Sequence, residues 1–188
     1  MGIVADGCGL TPHVASGVVM GSPGRVVTVA HAIAGATSVS VVDRAGNLHH
    51  AEVLAFDKDR DLAVLGVSDL DAPALQLGHS ATGPGATLTW SRTDGVTYRT
   101  ATVSKQLLVT MEDIYVEGTV QRRALEVHGA IESGDSGGAV LSSTGDVIGI
   151  IYARSRTRDE VGFATDSSEL QTLLQRMPGT PSTHGRCD

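Results

Sequence analysis

Val14-Ala15-Ser16-Gly17-Val18-Val19-Met20 leads through Ser22-Pro23-Gly24 into Val26-Val27-Thr28-Val29-Ala30. Both apolar runs are short and rich in Val, whose branched Cβ suits an extended backbone better than a helix. Between them Pro fixes φ and Gly supplies positive φ, which a tight turn needs. The reading is strand, turn, strand.

The same grammar repeats along the chain. Ser38–Val42, His50–Ala55, Leu62–Val67, Ala86–Trp90 and Tyr98–Val103 read as strands, as do Leu107–Met111, Ala124–Val127, Ala139–Leu141, Val147–Tyr152 and Gly162–Thr165. Arg44-Ala45-Gly46-Asn47, Thr93-Asp94-Gly95 and Ser143-Thr144-Gly145-Asp146 punctuate them. Many short strands separated by Gly-rich turns predict an all-β sandwich or barrel. Ser167 to Arg176 reads as the one clear helix: Leu170, Leu173 and Leu174 recur at helical spacing, and Asp166 or Ser167 can cap it. A weaker helical stretch is expected at His31–Ala34. Gly83-Pro84-Gly85 lies near mid-chain, where it is either an ordinary hairpin turn or the junction of two halves. About six strands fall on each side of it, which favours two β-barrels over 1–83 and 84–188.

Composition narrows the function. The chain has 188 residues, a formal net charge of −7 and no cluster of Lys and Arg, so a groove for nucleic-acid phosphates is not expected. No apolar run approaches the roughly 20 residues that cross a bilayer, and no secretory signal opens the chain. A soluble module is expected, free or excised from a larger protein. No metal or cofactor is expected: His49-His50 lacks further ligands at workable spacing, and no phosphate-binding Gly-rich loop precedes a helix. Cys8 and Cys187 are either unrelated thiols in opposite tails or a disulfide between them. Their placement favours the disulfide and an oxidising compartment.

Three local patterns carry chemistry. Gly134-Asp135-Ser136-Gly137-Gly138 surrounds a serine with glycines that let the backbone turn tightly and aim N–H groups into a concavity. A serine hydroxyl needs a base and donors for the oxyanion that forms. Alone, the pentapeptide also fits a surface turn. Thr28-Val29-Ala30-His31 puts a histidine at a strand end. Asp61-Leu62-Ala63-Val64-Leu65 opens a buried strand with a carboxylate, which requires a partner such as an imidazole N–H. Asp61 otherwise merely ends the charged turn Asp57-Lys58-Asp59-Arg60. His31, Asp61 and Ser136 follow one another at 30 and 75 residues, the chymotrypsin order.

On these motifs the chain resembles the trypsin/chymotrypsin peptidase superfamily. Within it, the chain is similar over nearly its full length to the periplasmic protease domains of the actinobacterial MarP type, which are membrane-tethered acid-resistance proteases. Gly7-Cys8-Gly9, Ala34-Gly35, Asp113-Ile114-Tyr115, Gly162-Phe163 and Cys187 carry that closer likeness. The resemblance implies an all-β fold of two six-stranded antiparallel barrels with a short C-terminal helix. It implies a serine endopeptidase acting on polypeptides, with Ser136 as nucleophile, His31 as base and acid, and Asp61 orienting the ring. The N–H groups of Gly134 and Ser136 would form the oxyanion hole. Ala130 would stand at the base of the substrate pocket, with Tyr152, Ala153, Arg154 and Gly162 as walls, and Ile150-Ile151-Tyr152 would pair with an extended peptide. The likeness also implies a monomeric, extracytoplasmic domain, attached to a membrane only through a segment outside this chain. Asp135 would lack an N-terminal ammonium partner, because the chain does not begin at a cleaved Ile or Val.

Two other readings compete. Gly134-x-Ser136-x-Gly138 fits the nucleophile elbow of an α/β-hydrolase, but only His184 follows Ser136 and strands do not alternate with helices. A latent or inactive peptidase fold that binds peptides without cleaving them is the second.

Overall fold

The computed structural model describes residues 1–7, 9–22, 24–177 and 185–187. Fourteen strands and one helix make up the described chain. In the N-terminal half, β1 (Gly2–Asp6), β2 (His13–Ser16), β5 (Ser38–Val42) and β6 (Leu48–His50) form one antiparallel sheet in the order β2-β1-β5-β6. β3 (Val18–Val19), β4 (Arg25–Thr28), β7 (Glu52–Asp57) and β8 (Leu62–Gly66) form a second, in the order β3-β4-β8-β7.

These eight segments are six continuous strands. β2 runs into β3 through Gly17, and β6 into β7 through Ala51, so each bent strand joins the edges of both sheets. Strands that switch sheets at a bend are how orthogonal sheets close around a core. Gly17 fits its corner because a Cβ there would press on the side chains of Ile3 and Val26, at 2.8 and 2.9 Å.

The C-terminal half is a closed barrel. β9 (Gly83–Ser91), β10 (Gly95–Glu112), β11 (Thr119–His128), β12 (Ala139–Ser142), β13 (Val147–Arg154) and β14 (Val161–Asp166) close in the order β10-β11-β14-β13-β12-β9, with every pairing antiparallel. α1 (Ser167–Arg176) follows β14 directly. Asp166 caps it by accepting from the Ser168 N–H at 2.8 Å. Leu170 and Leu173 are buried in a core that joins Ile3, Val26, Leu62 and Leu65 to Ala139, Val147 and Ile150. The halves therefore share apolar contact beneath the site described below.

Three expectations differ from the structure, which also holds one strand the sequence pattern does not predict. Residues 31–35 form successive turns, with Ile33 N–H on the Ala30 carbonyl at 3.1 Å, and no α-helix. Gly83-Pro84-Gly85 opens β9 instead of forming a turn, and the crossing between halves runs through 67–82. Tyr98–Val103 and Leu107–Met111 belong to one 18-residue strand, because β10 and β11 extend past the barrel as a two-stranded hairpin and polar Ser104-Lys105-Gln106 does not interrupt it. β1 is an added strand, short and opened by Gly2, with a weak signal in the sequence.

Candidate active site

β4 ends at Thr28, and the tight turn at Ala30–Ile33 lifts His31 out of the core, leaving its side chain 33% exposed. Its Nδ1 lies 2.8 Å from Asp61 Oδ2, and its backbone N–H donates to Asp61 Oδ1 at 2.9 Å. The carboxylate is nearly buried, at 5% exposed. An ionised carboxylate only accepts, so Nδ1 carries the proton and Nε2 is left as the basic nitrogen.

The turn before Asp61 explains its placement. Asp57 Oδ1 accepts from the N–H groups of Asp59 and Arg60, at 3.0 and 2.8 Å. Arg60 pairs with Asp57 at 2.8 Å and with Glu169 of α1 at 2.9 Å, which holds its guanidinium pKa above the ordinary value, chiefly through the Asp57 hydrogen bond. Asp61 has φ +52, a left-handed conformation that Asp tolerates better than most residues. The residue both ends the charged turn and presents a carboxylate to His31.

The 134–138 loop lies across the junction. Gly137 has φ +85, and a Cβ on it would overlap the Ser16 carbonyl and the Thr28 hydroxyl, so only glycine fits. Ser16 N–H donates to the Ser136 carbonyl at 2.8 Å, and Ser16 Oγ donates to the Gly134 carbonyl at 3.0 Å. Thr28 Oγ1 in turn donates to the Ser16 carbonyl at 2.7 Å, three residues before His31. The N–H groups of Asp135, Gly137 and Gly138 are bonded to Glu132, Ile151 and Asp135 carbonyls at 3.2, 2.7 and 2.9 Å. Those of Gly134 and Ser136 have no backbone acceptor among the described residues. Ser136 Oγ donates to the Tyr152 carbonyl at 3.5 Å.

The wall residues fall into two groups. Arg154 pairs with Gly162 across β13 and β14, and Gly162 is pressed by the Ile131 side chain, whose Cδ1 would overlap a Cβ there. Ala153 lies on the same side, its carbonyl 3.1 Å from that position. Tyr152 offers its backbone towards Ser136, while its ring packs on the shared core under the Arg122 guanidinium, 4.3 Å away. Burial raises the Tyr152 pKa. Ala130 is exposed, and Ile131 is the residue that reaches Gly162.

Ile131, Arg122 and Arg99 also contact this region, on Gly162, Tyr152 and Asp135 respectively. Nothing in their local sequence separates them from ordinary strand or loop residues.

A second layer holds the loops bearing His31 and Asp61. The tip of the β10–β11 hairpin docks on the turn before Asp61: Ile114 N–H donates to the Lys58 carbonyl at 3.4 Å, and Lys58 pairs with the buried Asp113 carboxylate. That pairing holds the Asp113 carboxyl below the usual carboxylate range. On the other side of the tip, Arg186 pairs with Glu117 at 2.5 Å and stacks 5.3 Å over the Tyr115 ring. The backbone of Arg186 and Cys187 packs so closely on Gly35 that a side chain there would collide with it, and Gly7 packs equally closely on Thr37. Cys8 lies outside the described residues, as does His184; no described cysteine is a free thiol.

A histidine oriented by a buried carboxylate and a Gly-flanked serine, carried on a two-barrel β fold, are the features of a serine peptidase domain. A family model described as trypsin-like peptidase domain matches residues 15–150, and the chain belongs to that family. It is 30% identical over 172 residues to the serine protease Rv3671c of Mycobacterium tuberculosis, covering 88% of this chain and 43% of the relative. It is 30% identical over 177 residues to a serine protease Do-like HtrA of Lactococcus lactis, covering 84% of this chain and 42% of that protein. The chain thus spans less than half the length of these curated relatives. The active form of the Rv3671c protease superposes with a TM-score of 0.91 at 27% identity, over 99% of this chain and 84% of that one. The inactive form superposes at 0.79 with the same identity, over 95% and 89%.

Proposed function

We propose that the domain is an endopeptidase in which Ser136 attacks the scissile carbonyl, His31 takes and returns the proton, and Asp61 holds the imidazolium. The two hydrogen bonds from His31 to a nearly buried Asp61 carry this reading, because they fix the ring and its tautomer together. The Gly134 and Ser136 amides receive the oxyanion, an assignment supported by the other amides of the loop being taken by carbonyls. The higher similarity to the active than to the inactive form of the Rv3671c protease supports a domain poised for catalysis over a latent binding module.

The substrate is an extended polypeptide that adds to the β13 edge near Tyr152–Arg154. None of Ala130, Tyr152, Ala153, Arg154 and Gly162 carries a carboxylate for a Lys or Arg side chain, and the Ile131 side chain fills the space where a Cβ on Gly162 would stand. Cleavage therefore follows neutral, small or apolar residues. Residues 1–83 and 84–188 act as the two barrel units, and the protein works as a monomer without nucleic acid or cofactor. Cys8 and Cys187 form a disulfide, a reading supported by Gly7 and Cys187 packing on the same 35–37 loop beyond His31. That bond makes the domain extracytoplasmic, exported on a membrane segment outside this chain. Among the described residues, no helix is long and apolar enough to cross a membrane.

Purified protein incubated with a peptide library tests the reading. Hydrolysis that Ser136→Ala abolishes, after neutral residues, is expected. Cleavage mainly after Lys or Arg refutes the pocket assignment, and undiminished hydrolysis by Ser136→Ala refutes the nucleophile.

A further inference from the structure

Asp135 precedes Ser136 and is buried, with its side chain 6% exposed. A buried carboxylate beside a nucleophile needs a counter-charge or several donors to remain ionised. Two groups meet the same oxygen: the Glu132 N–H donates to Asp135 Oδ2 at 2.8 Å, and Arg99 Nη1 donates to it at 3.1 Å. The Asp135 backbone closes the same loop, its N–H on the Glu132 carbonyl at 3.2 Å and its carbonyl accepting from Gly138 at 2.9 Å.

Arg99 comes from β10, a different element from the loop it holds. Thr87 faces it in the β9 register, and the rigid barrel wall fixes its backbone. Its side chain is 24% exposed, and its second contact is a weak one from Nη2 to Glu132 at 3.4 Å, a carboxylate that is 69% exposed. The pair therefore ties the 132–138 loop to the barrel at the residue between the two amides assigned to the oxyanion hole.

We infer that Arg99 is a positioning residue which, through Asp135, holds the Gly134 and Ser136 N–H groups in their oxyanion-binding orientation. Both partners of this latch belong to the C-terminal barrel, Arg99 on β10 and Asp135 on the 132–138 loop. Loss of the latch lets the peptide planes at 134–136 rotate while Ser136, His31 and Asp61 keep their places. The transition state then suffers more than substrate binding does, because the oxyanion forms only there. The inference rests on Ser136 being the nucleophile.

The test compares wild type with Arg99→Met, Arg99→Lys and Asp135→Asn, using a peptide ester for kcat and KM and a fluorophosphonate for the acylation rate. Arg99→Met is expected to lower kcat and the labelling rate on the order of 100-fold, the scale of a lost oxyanion donor, with KM changed less than threefold. Arg99→Lys should recover most of that loss. Added guanidinium ion at tens of millimolar should partly restore the Met variant and leave Asp135→Asn unrescued. If Arg99→Met fails to fold, the Lys variant and Asp135→Asn carry the comparison, and a Lys variant with unchanged KM but reduced kcat supports the latch. Wild type that labels, with all three variants within twofold of it, overturns the latch alone. Variants that lose KM and kcat in equal proportion, without guanidinium rescue, also overturn it in favour of a purely structural role. Wild type that takes no label overturns the Ser136 assignment, and the latch with it.

Discussion

Asp61→Asn is a nearly isosteric change with a large expected consequence. Asp61 accepts two hydrogen bonds from His31, the backbone N–H at 2.9 Å and Nδ1–H at 2.8 Å. An asparagine has one oxygen for those two donors. If that oxygen keeps the backbone N–H, the amide NH2 faces Nδ1, which must then accept. The ring proton moves to Nε2, and the imidazole can no longer take the Ser136 proton. If the amide turns over, its NH2 opposes the backbone N–H and the turn at His31 is disturbed instead. The first outcome retains the fold, and the wrong tautomer in a trypsin-type site lowers kcat about 10⁴-fold. That factor corresponds to about 5.4 kcal/mol of transition-state stabilisation. The assay is pre-steady-state acylation by a chromogenic ester, read beside a thermal melt. A drop of at least a thousandfold, with Tm within a few degrees of wild type, is expected. An Asp61→Asn enzyme within tenfold of wild type refutes the reasoning.

Three further outcomes follow from the same geometry. Gly137→Ala places a Cβ on the Ser16 carbonyl and the Thr28 hydroxyl at φ +85, so the variant should melt well below wild type and lose activity together with its fold; an unchanged Tm contradicts the packing described. Glu126 is 5% exposed and accepts from Arg158 at 2.7 Å and Ser104 at 2.9 Å, which together hold its carboxyl well below the usual carboxylate range, with the Arg158 bond the larger cause. A lowered pKa favours the native state above the unfolded value, near 4.3, and the contribution fades as pH falls below it; urea unfolding should therefore find Glu126→Gln less stable than wild type at pH 7 and converging on it in acid, and a pH-independent difference argues against this. Unreduced protein should take up no thiol-alkylating reagent, and reduction should lower both Tm and activity, with the loop-closure contribution at most about 5 kcal/mol; two alkylated cysteines in protein never exposed to reductant contradict the proposed disulfide.

The strand pattern was legible because Val-rich runs and Gly turns are local signals, and α1 was legible to the residue because Asp166 caps it and Leu170 and Leu173 repeat at helical spacing. His31–Ala34 reads as weakly helical, yet residues 31–35 form turns closed by local hydrogen bonds, Ile33 N–H on the Ala30 carbonyl and Ala36 N–H on the Ile33 carbonyl. The corners at Gly17 and Ala51 were not legible: whether a bent strand serves one sheet or two depends on partners far along the chain. The same holds for Arg99, whose partner lies 36 positions away, and for Ile131, which gains meaning only once β14 brings Gly162 against it. His31, Asp61 and Ser136, the proposed catalytic residues, stand out in the sequence because each sits in a short motif; the residues packed around them do not, because they are defined by register and packing.

Mass mapping of a fluorophosphonate adduct on the unmodified wild-type protein tests the central claim most directly. One phosphonyl group on the peptide containing Ser136, formed at a rate that falls when His31 is protonated and absent from His31→Ala, is the expected result. Labelling on another serine, or none on protein shown to be folded by its thermal melt, contradicts the assignment of Ser136 as the nucleophile.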